Sequence, residues 1–118
     1  MNLIAFICRL LDCEDYELSS RLGLLSNRVL VEKALAGKKI YTIYGDKASQ
    51  VIFHGLSPGD SRTHAYNGFL GITVQQHFYV RYRLKLAYPL LPLVVQIDNN
   101  NGHRSFYPLE MLIVLQEK

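Results

Sequence analysis

The residues between Val74 and Val95 have the side chains needed to bind an anion. This stretch, VQQHFYVRYRLKLAYPLLPLVV, contains four aromatic and three cationic residues and no acidic residue. His77 and Arg81 are four residues apart, which places them on one face of a helix, and Tyr82 follows directly. Imidazole, guanidinium and phenol groups all donate hydrogen bonds that phosphate oxygens accept. The spacing therefore predicts a phosphate site at the end of a helix.

Aromatic residues also lie in other predicted elements. Tyr44 ends a strand-like segment, and Tyr66 precedes a predicted hairpin tip. Phe106 and Tyr107 lie in the last apolar segment. Exposed rings from several elements are a common way to hold single-stranded nucleic acid by stacking, which contributes about 1–3 kcal/mol per base. The ordinary alternative, a solvated helix face with one ring packed at its edge, stays open at this point.

The amino-terminal third of the chain is predicted to be helical. Apolar residues recur at helical spacing over Leu3–Leu11, and an acidic loop follows them. A second helix is predicted with Ser26 as its N-cap and Gly37 after its last turn, and its apolar side is predicted to consist of Val29, Leu30, Ala34 and Leu35.

At Lys39 the pattern changes to the alternation of β-strands. The segments KKIYTIY and QVIFHGL are predicted to form a hairpin, and a smaller hairpin is predicted at Asn67-Gly68. A helix with a Thr-x-x-Gln capping box opens at Thr73 and runs to about Tyr82. LPLVVQI is a predicted strand, and SFYPLEMLIVL is a predicted last strand with Pro108 at an edge or bulge.

This order of elements predicts an α+β fold that is mainly β. The expected architecture is a small, partly open barrel of the OB or SH3-like kind, with an appended β-hairpin plus helix and with N-terminal helices. A length of 118 residues predicts one domain, spanning 1–118. Hydrophobic residues at 49% and charged residues at 19% exclude a disordered tail or a coiled coil.

The residue pattern argues against metal, enzyme and membrane functions. Cys8 and Cys13 are expected on divergent helix faces as reduced intracellular thiols. No histidine has a ligand spacing with cysteine or aspartate, and no serine or cysteine has an identifiable base, so we expect no metal, no cofactor and no catalysis. The apolar N-terminal segment is too short to span a bilayer and contains Arg9. An intracellular protein, cytoplasmic or nuclear, is expected.

The segment from Thr73 to Leu112 resembles the PAZ domain of Argonaute proteins. The family pattern is a helix ending in a basic residue plus Tyr, then Leu, Tyr-Pro, Leu-Pro, a variable turn, and an aromatic residue with Pro-Leu-Glu. Here it reads VQQHFYVRY, LAYPLLP and SFYPLEML, and the compact connector DNNNGHRS is more similar to the Argonaute branch than to Piwi or Dicer. The resemblance is weaker back to Ser26.

The resemblance implies a pocket between barrel and hairpin that holds the 3′ end of a small single-stranded guide RNA, or a short 3′ overhang, in RNA silencing. It also implies that the chain is a single PAZ domain of a larger Argonaute protein, whose other domains are further partners. Any slicing would belong to one of those domains.

The resemblance also implies roles for individual residues. Arg81 and Tyr82 match the pair that contacts the terminal phosphodiester, His77 stands where the family has a phosphate-binding Tyr, and Tyr44 matches a phosphate-binding position often filled by His. Tyr66 lies where the family places a ring under the last base. The other RNA-binding residues expected are Lys47, Tyr88, and the pair Phe106 and Tyr107, whose main chain would meet the terminal ribose.

One departure from the family pattern falls on the second strand of the first hairpin. The family commonly has a phosphate-binding Arg and a Tyr there, whereas this chain has Ser49, Gln50 and Val51. Lys47 is the expected substitute from the turn. The departure predicts a weaker pocket or one that accepts a different terminus.

The competing hypothesis is a barrel-type protein-interaction module that binds an extended or Pro-rich peptide through its exposed rings. Such a groove would not need the cations that surround the rings here, namely Lys47, Arg81, Arg83 and Lys85. The charge pattern therefore favours RNA.

Overall fold

Four helices and two antiparallel sheets are formed by the part of the chain that the structure describes. The structure is a computed structural model and describes residues 1–44, 48–62 and 73–115. The helices are α1 (Leu3–Leu11), α2 (Leu18–Arg21), α3 (Leu25–Leu35) and α4 (Val74–Tyr82). The strands are β1 (Ile40–Thr42), β2 (Gln50–Val51), β3 (Gly55–Asp60), β4 (Pro92–Ile97), β5 (Arg104–Pro108) and β6 (Leu112–Val114). The hairpin predicted at Asn67-Gly68 lies outside the described residues.

Each sheet has three strands. The first has the order β2-β1-β6, and the second has the order β3-β4-β5. In the first sheet Ile40 lies opposite Val51 on one side and opposite Val114 on the other. In the second sheet Val94 pairs with Leu56 and with Tyr107. The described strands thus form two separate ladders, and the predicted small α+β fold with a partly open barrel and N-terminal helices is confirmed.

Two apolar clusters join the helices to the two sheets. The first cluster combines residues of α1, α2, α3, both sheets and the connecting segments: Leu3, Ile4, Ile7, Leu18, Leu22, Val31, Leu35, Ile40, Val51, Leu56, Leu91, Val94, Leu109, Leu112 and Val114. The second cluster is smaller and consists of Val74, Phe78, Leu86 and Leu93. Because α4 contributes two of those four residues, the second cluster attaches this helix to the second sheet.

Helix α3 buries only part of the predicted apolar side, because Leu35 is buried there but Val29 and Leu30 are not. Val31 and Leu35 are fully buried, whereas Val29 and Leu30 are 40% and 46% exposed. The guanidinium of Arg28 donates to two backbone carbonyls of β3, at 2.6 and 3.3 Å. Residues 28, 31 and 35 share one helix face, so these bonds turn that face toward the sheet.

Residues 55–60 form β3, where the sequence predicted the end of one strand followed by a turn. The register of β3 against β4 is irregular between Leu56 and Asp60. Pro58 lies in this irregular part, where its missing N–H interrupts no regular ladder. The Ser57 hydroxyl accepts a hydrogen bond from the Leu93 amide at 2.9 Å. The Ser57 side chain thus takes the place of a backbone acceptor for the Leu93 amide. The alternation of apolar and polar residues along the strand could not predict this.

The predicted single last strand is wrong, since it consists of two strands in different sheets. Strand β5 pairs with β4, β6 pairs with β1, and a 3₁₀ turn at Leu109–Met111 separates them. Pro108 ends β5, as its predicted edge position indicates. The Glu110 carboxylate accepts hydrogen bonds from the amides of Ala87 and Tyr88, each at 2.9 Å. These bonds hold the turn at which the chain changes sheets.

The two cysteines contact each other instead of diverging. Helix α1 ends at Leu11, and Asp12 adopts a left-handed conformation with φ of 53°, which turns Cys13 back toward the helix. Both thiols are free, half-buried and hydrogen-bonded to each other. Burial, followed by the nearby Cys13 and Asp15, raises the pKa of Cys8 to about 11. Cys8 is therefore protonated at neutral pH.

Candidate nucleic-acid interface

Helix α4 has the bounds and the cap that the sequence predicts. The Thr73 hydroxyl accepts from the Gln76 amide at 3.1 Å, and the Gln76 side-chain oxygen accepts from the Thr73 amide at 3.0 Å. At the other end Arg83 is left-handed with φ of 55°, and its amide donates to the Tyr79 carbonyl at 3.0 Å. Both ends of the helix are satisfied, so its side chains have defined directions.

The inward face of α4 fixes the orientation of the polar face. Val74 and Phe78, four residues apart, are both fully buried. Since these two side chains point to the second sheet, His77 and Arg81 project from the neighbouring face of the helix. The predicted division of α4 into an apolar stripe and a polar stripe is confirmed.

Aromatic rings converge around Phe78 at this face. The Tyr44 ring packs edge-on against Phe78, with centroids 4.7 Å apart, and lies 5.2 Å from the Tyr82 ring. The His77 ring is 5.6 Å from Phe78 and 5.8 Å from Tyr82, nearly perpendicular to both. Edge-to-face packing at these distances holds rings firmly. Two phenols and one imidazole from two distant chain segments therefore form one group, which we call the ring pocket: Tyr44, His77, Phe78 and Tyr82.

A guanidinium lies beside the ring pocket. The central carbon of the Arg81 guanidinium is 5.9 Å from the centroid of the Tyr82 ring. Arg81 is exposed, whereas Tyr44, His77 and Tyr82 are half-buried. A cation held over a ring keeps its N–H groups directed outward, where they can grip an anion in a forked geometry.

The surroundings of His77 disfavour its charged form. Its Nε2 atom is buried. Burial, followed by the positive charge of Arg81, lowers the pKa of His77 below the ordinary histidine value. A phosphate bound between Arg81 and His77 would oppose this lowering of the pKa, since a negative charge favours the imidazolium.

Strand β5 sends Phe106 and Tyr107 to opposite clusters. Phe106 packs against the second cluster, together with Tyr44 and Tyr82, while Tyr107 packs against the first cluster. This follows from the alternation of side chains along a strand. Burial raises the pKa of the Tyr107 phenol. The structure therefore brings the Phe106 ring to the cluster that contains Phe78 and directs the Tyr107 ring to the first cluster.

Tyr88 lies elsewhere in the fold. Its hydroxyl donates to the Asp15 carboxylate, and its ring packs against the first cluster. This hydrogen bond, followed by burial and the charge of Asp15, raises the pKa of the phenol. The structure does not join Tyr88 to the ring pocket. Lys47 and Tyr66, also expected to bind RNA, lie outside the described residues.

The sequence pattern missed two apolar residues at the pocket. Leu84 and Met111 are half-buried against the second cluster alongside Tyr82 and Phe106. Leu84 follows the left-handed Arg83, and its amide donates to the Phe78 carbonyl at 3.2 Å. The signal for Leu84 was the expected helix end, because an apolar residue after a left-handed cap commonly packs back on the helix. Met111 became a neighbour only through the 3₁₀ turn, which the sequence did not indicate.

The departure from the family pattern lies on and beside β2. Val51 is buried in the first cluster, while Ser49 and Gln50 are exposed. The amide of Ser49 donates to the Thr42 hydroxyl at 3.0 Å. No cation stands at these three positions.

Two further properties concern the whole described chain. Across residues 1–44, 48–62 and 73–115, no group of three histidine, cysteine or acidic side chains is arranged to hold a metal ion. In the same ranges, none of the helices has the length and apolar character needed to cross a membrane.

Known structures share this fold, although no protein-family model matches the sequence. A Drosophila Argonaute PAZ domain in complex with RNA 2′-O-methylated at its 3′ end superposes with a TM-score of 0.78 at 17% identity, covering 99% of this chain and 98% of that one. Two structures of the Drosophila Argonaute 2 PAZ domain each give a TM-score of 0.70. The first of these concerns 3′ end recognition of nucleic acids. It is 18% identical to this chain, and the match covers 99% of this chain and 94% of that one. The second concerns nucleic acid binding. It is 17% identical to this chain, and the match covers 98% of this chain and 99% of that one. The predicted likeness to Argonaute PAZ domains is thus confirmed for the fold, and this chain has that fold over nearly its whole length.

Proposed function

We propose that this chain binds the 3′ end of single-stranded RNA in the ring pocket. The observation that carries the proposal is the convergence of two phenols, an imidazole and a guanidinium on one face of α4. Tyr44 reaches this face from the end of β1, 33 residues before His77. Such a convergence of donors is not needed to close the core, because Phe78 and its three apolar partners already do so.

Each side chain of the site has a different role in binding the phosphate and its sugar. Arg81 contributes the charge and a forked pair of N–H donors. Tyr82 and Tyr44 have ring centroids 5.2 Å apart and contribute phenol donors on one side of the phosphate. Phe106 closes the apolar edge of the pocket, where a ribose would rest. Lys47 and Tyr66 complete the proposed set, with Tyr66 stacked under the last base.

The biological setting is the finer part of the proposal. The structures of the similar Drosophila domains concern recognition of 3′ ends and binding of nucleic acid. We infer that this chain is one PAZ domain, 1–118, of a larger Argonaute protein inside the cell, and that it anchors a small guide RNA in gene silencing. It would act as a binding module and not as an enzyme. The Glu110 carboxylate, for example, accepts hydrogen bonds from two backbone amides, which is a structural role.

The test compares one RNA sequence in linear and circular form. The linear RNA should bind well above the circular one, because only a free end can enter the ring pocket. Arg81→Ala should weaken binding of the linear form by tenfold or more, since hydrogen bonds to charged groups contribute about 1.5–3 kcal/mol. Arg9→Ala, which removes an exposed arginine of α1, is the matched control and should leave binding unchanged.

Equal affinity for the linear and circular RNA would refute an end-binding pocket. Binding of a Pro-rich peptide that depends on Tyr44 and Tyr82, without any RNA binding, would establish the protein-interaction alternative instead.

A further inference from the structure

A groove runs along the outward face of α4, on the side away from His77 and Arg81. It has a volume of about 480 Å³, and its lining includes Gln75, Tyr79 and Val80 of the helix and Lys85 of the segment that follows. This volume lies within the range of small-ligand sites, about 300–1,000 Å³. The ring pocket does not use any of these four side chains.

The groove combines an exposed ring with groups that suit a nucleotide. Tyr79 is 57% exposed and Val80 is 69% exposed, so α4 presents an aromatic and an aliphatic surface outward. Gln75 adds an amide that can both donate and accept. Lys85 is exposed and adds a positive charge. Among the described lining residues, none is acidic.

The C-terminal end of α4 connects the groove to the ring pocket. Tyr82 belongs to the pocket, and Tyr79 lies three residues earlier, about 4.5 Å along the helix axis. The end of a helix carries partial negative charge, which repels phosphate. Here three exposed cations, Arg81, Arg83 and Lys85, oppose that charge. A strand that leaves the pocket over this end would meet cations first and the Tyr79 ring next.

We propose that this groove binds a base of the RNA upstream of its 3′-terminal nucleotide, stacked on Tyr79, with Lys85 at the adjoining phosphate. This inference rests on the proposed function. The charge pattern selects RNA over an apolar peptide, because a peptide would gain nothing from the cations between groove and pocket. A base stacks on an exposed tyrosine whatever its identity, so the groove would lengthen the grip without adding sequence preference.

The experiment uses two RNAs with the same 3′-terminal dinucleotide, the dinucleotide itself and a hexanucleotide. Tyr79→Ala should weaken binding of the hexanucleotide about tenfold and leave the dinucleotide unchanged. Tyr16→Ala, which removes a tyrosine that is 79% exposed in the acidic segment, is the matched control. Lys85→Gln should reduce the salt dependence of hexanucleotide binding by about one charge.

A hexanucleotide without bases at its upstream positions separates stacking from phosphate contact. It should bind wild type as weakly as the normal hexanucleotide binds Tyr79→Ala, and Tyr79→Ala should not weaken it further. Equal affinity of wild type and Tyr79→Ala for the normal hexanucleotide would overturn the inference. An equal loss for the dinucleotide would also overturn it, because Tyr79 would then act on the ring pocket. Neither result would change the preference for linear over circular RNA, which is the measurement that tests the proposed function.

Discussion

At the residue scale, His77 gives the ring pocket a titratable group among phenols. Its folded-state pKa is lowered by burial and by Arg81, so the unfolded chain binds the proton more readily. The stability that neutral His77 contributes is therefore present above the unfolded pKa of about 6.5 and is lost as pH falls through the folded pKa. We expect the free energy of unfolding to decrease from pH 7.5 to about pH 5. Denaturant titrations at each pH, with His77→Gln as the comparison, measure this. A slope that is the same in His77→Gln would contradict it.

The same residue predicts the pH dependence of RNA binding. A phosphate beside His77 raises its pKa, so binding takes up a proton and affinity should fall as pH rises through the histidine range. His77→Tyr replaces the imidazole with a phenol that stays neutral over that range. Titrations of one short RNA from about pH 5.5 to 8 should therefore show a slope for wild type and a flat profile for His77→Tyr. Flat profiles for both would remove His77 from the phosphate site.

At the element scale, the capping box of α4 has an energetic role that can be measured. Thr73→Ala removes the hydroxyl that accepts from the Gln76 amide, and such a loss costs about 1 kcal/mol. Because α4 supplies Val74 and Phe78 to the second cluster, we expect the cost in the global free energy of unfolding. Thr73→Ser keeps the acceptor and should recover most of the loss. Chemical denaturation of the three proteins measures the difference, and an equal loss in both variants would show that the hydroxyl is not what matters.

Glu110 is the second element-scale prediction, since it holds the turn at which the chain changes sheets. Glu110→Ala removes two charged hydrogen bonds to the amides of Ala87 and Tyr88 and should cost about 1–3 kcal/mol. Glu110→Gln keeps one acceptor oxygen and should lose less. Thermal melting of both variants gives the comparison. If Glu110→Gln loses as much as Glu110→Ala, the carboxylate charge is what holds the turn and not the number of acceptors.

At the scale of the whole molecule, the net charge of +3 predicts a weak salt dependence of RNA binding. An end-binding pocket contacts two or three phosphates, and each contact to a single strand contributes about 0.7 to the slope of log affinity against log salt. We therefore expect a slope of about −1.4 for a trinucleotide and about −2.1 for a tetranucleotide, which carry two and three internucleotide phosphates. Binding measured between about 50 and 200 mM salt gives this slope. A much steeper slope would indicate a long basic groove in place of an end pocket.

The sequence alone determined the elements whose signals are local. The capping box at Thr73, the stripe of Val74 and Phe78, and the pairing of His77 with Arg81 depend on residues within one or two helix turns of one another, and α4 has them as predicted. The resemblance to PAZ domains also rests on this segment, and the fold comparison agrees with it.

The tertiary structure decided what depends on partners far along the chain. Arg28 selects the buried face of α3 through carbonyls of β3, and Glu110 divides the last strand through amides more than 20 residues away. Likewise, Tyr88 and Tyr82 are both tyrosines of the same cation-rich stretch, yet one bonds to Asp15 and the other joins Tyr44. Residue type and spacing specify what a side chain can bind. Only the packing of distant segments determines which partner lies within reach, because hydrogen bonds and ring contacts act over a few ångströms.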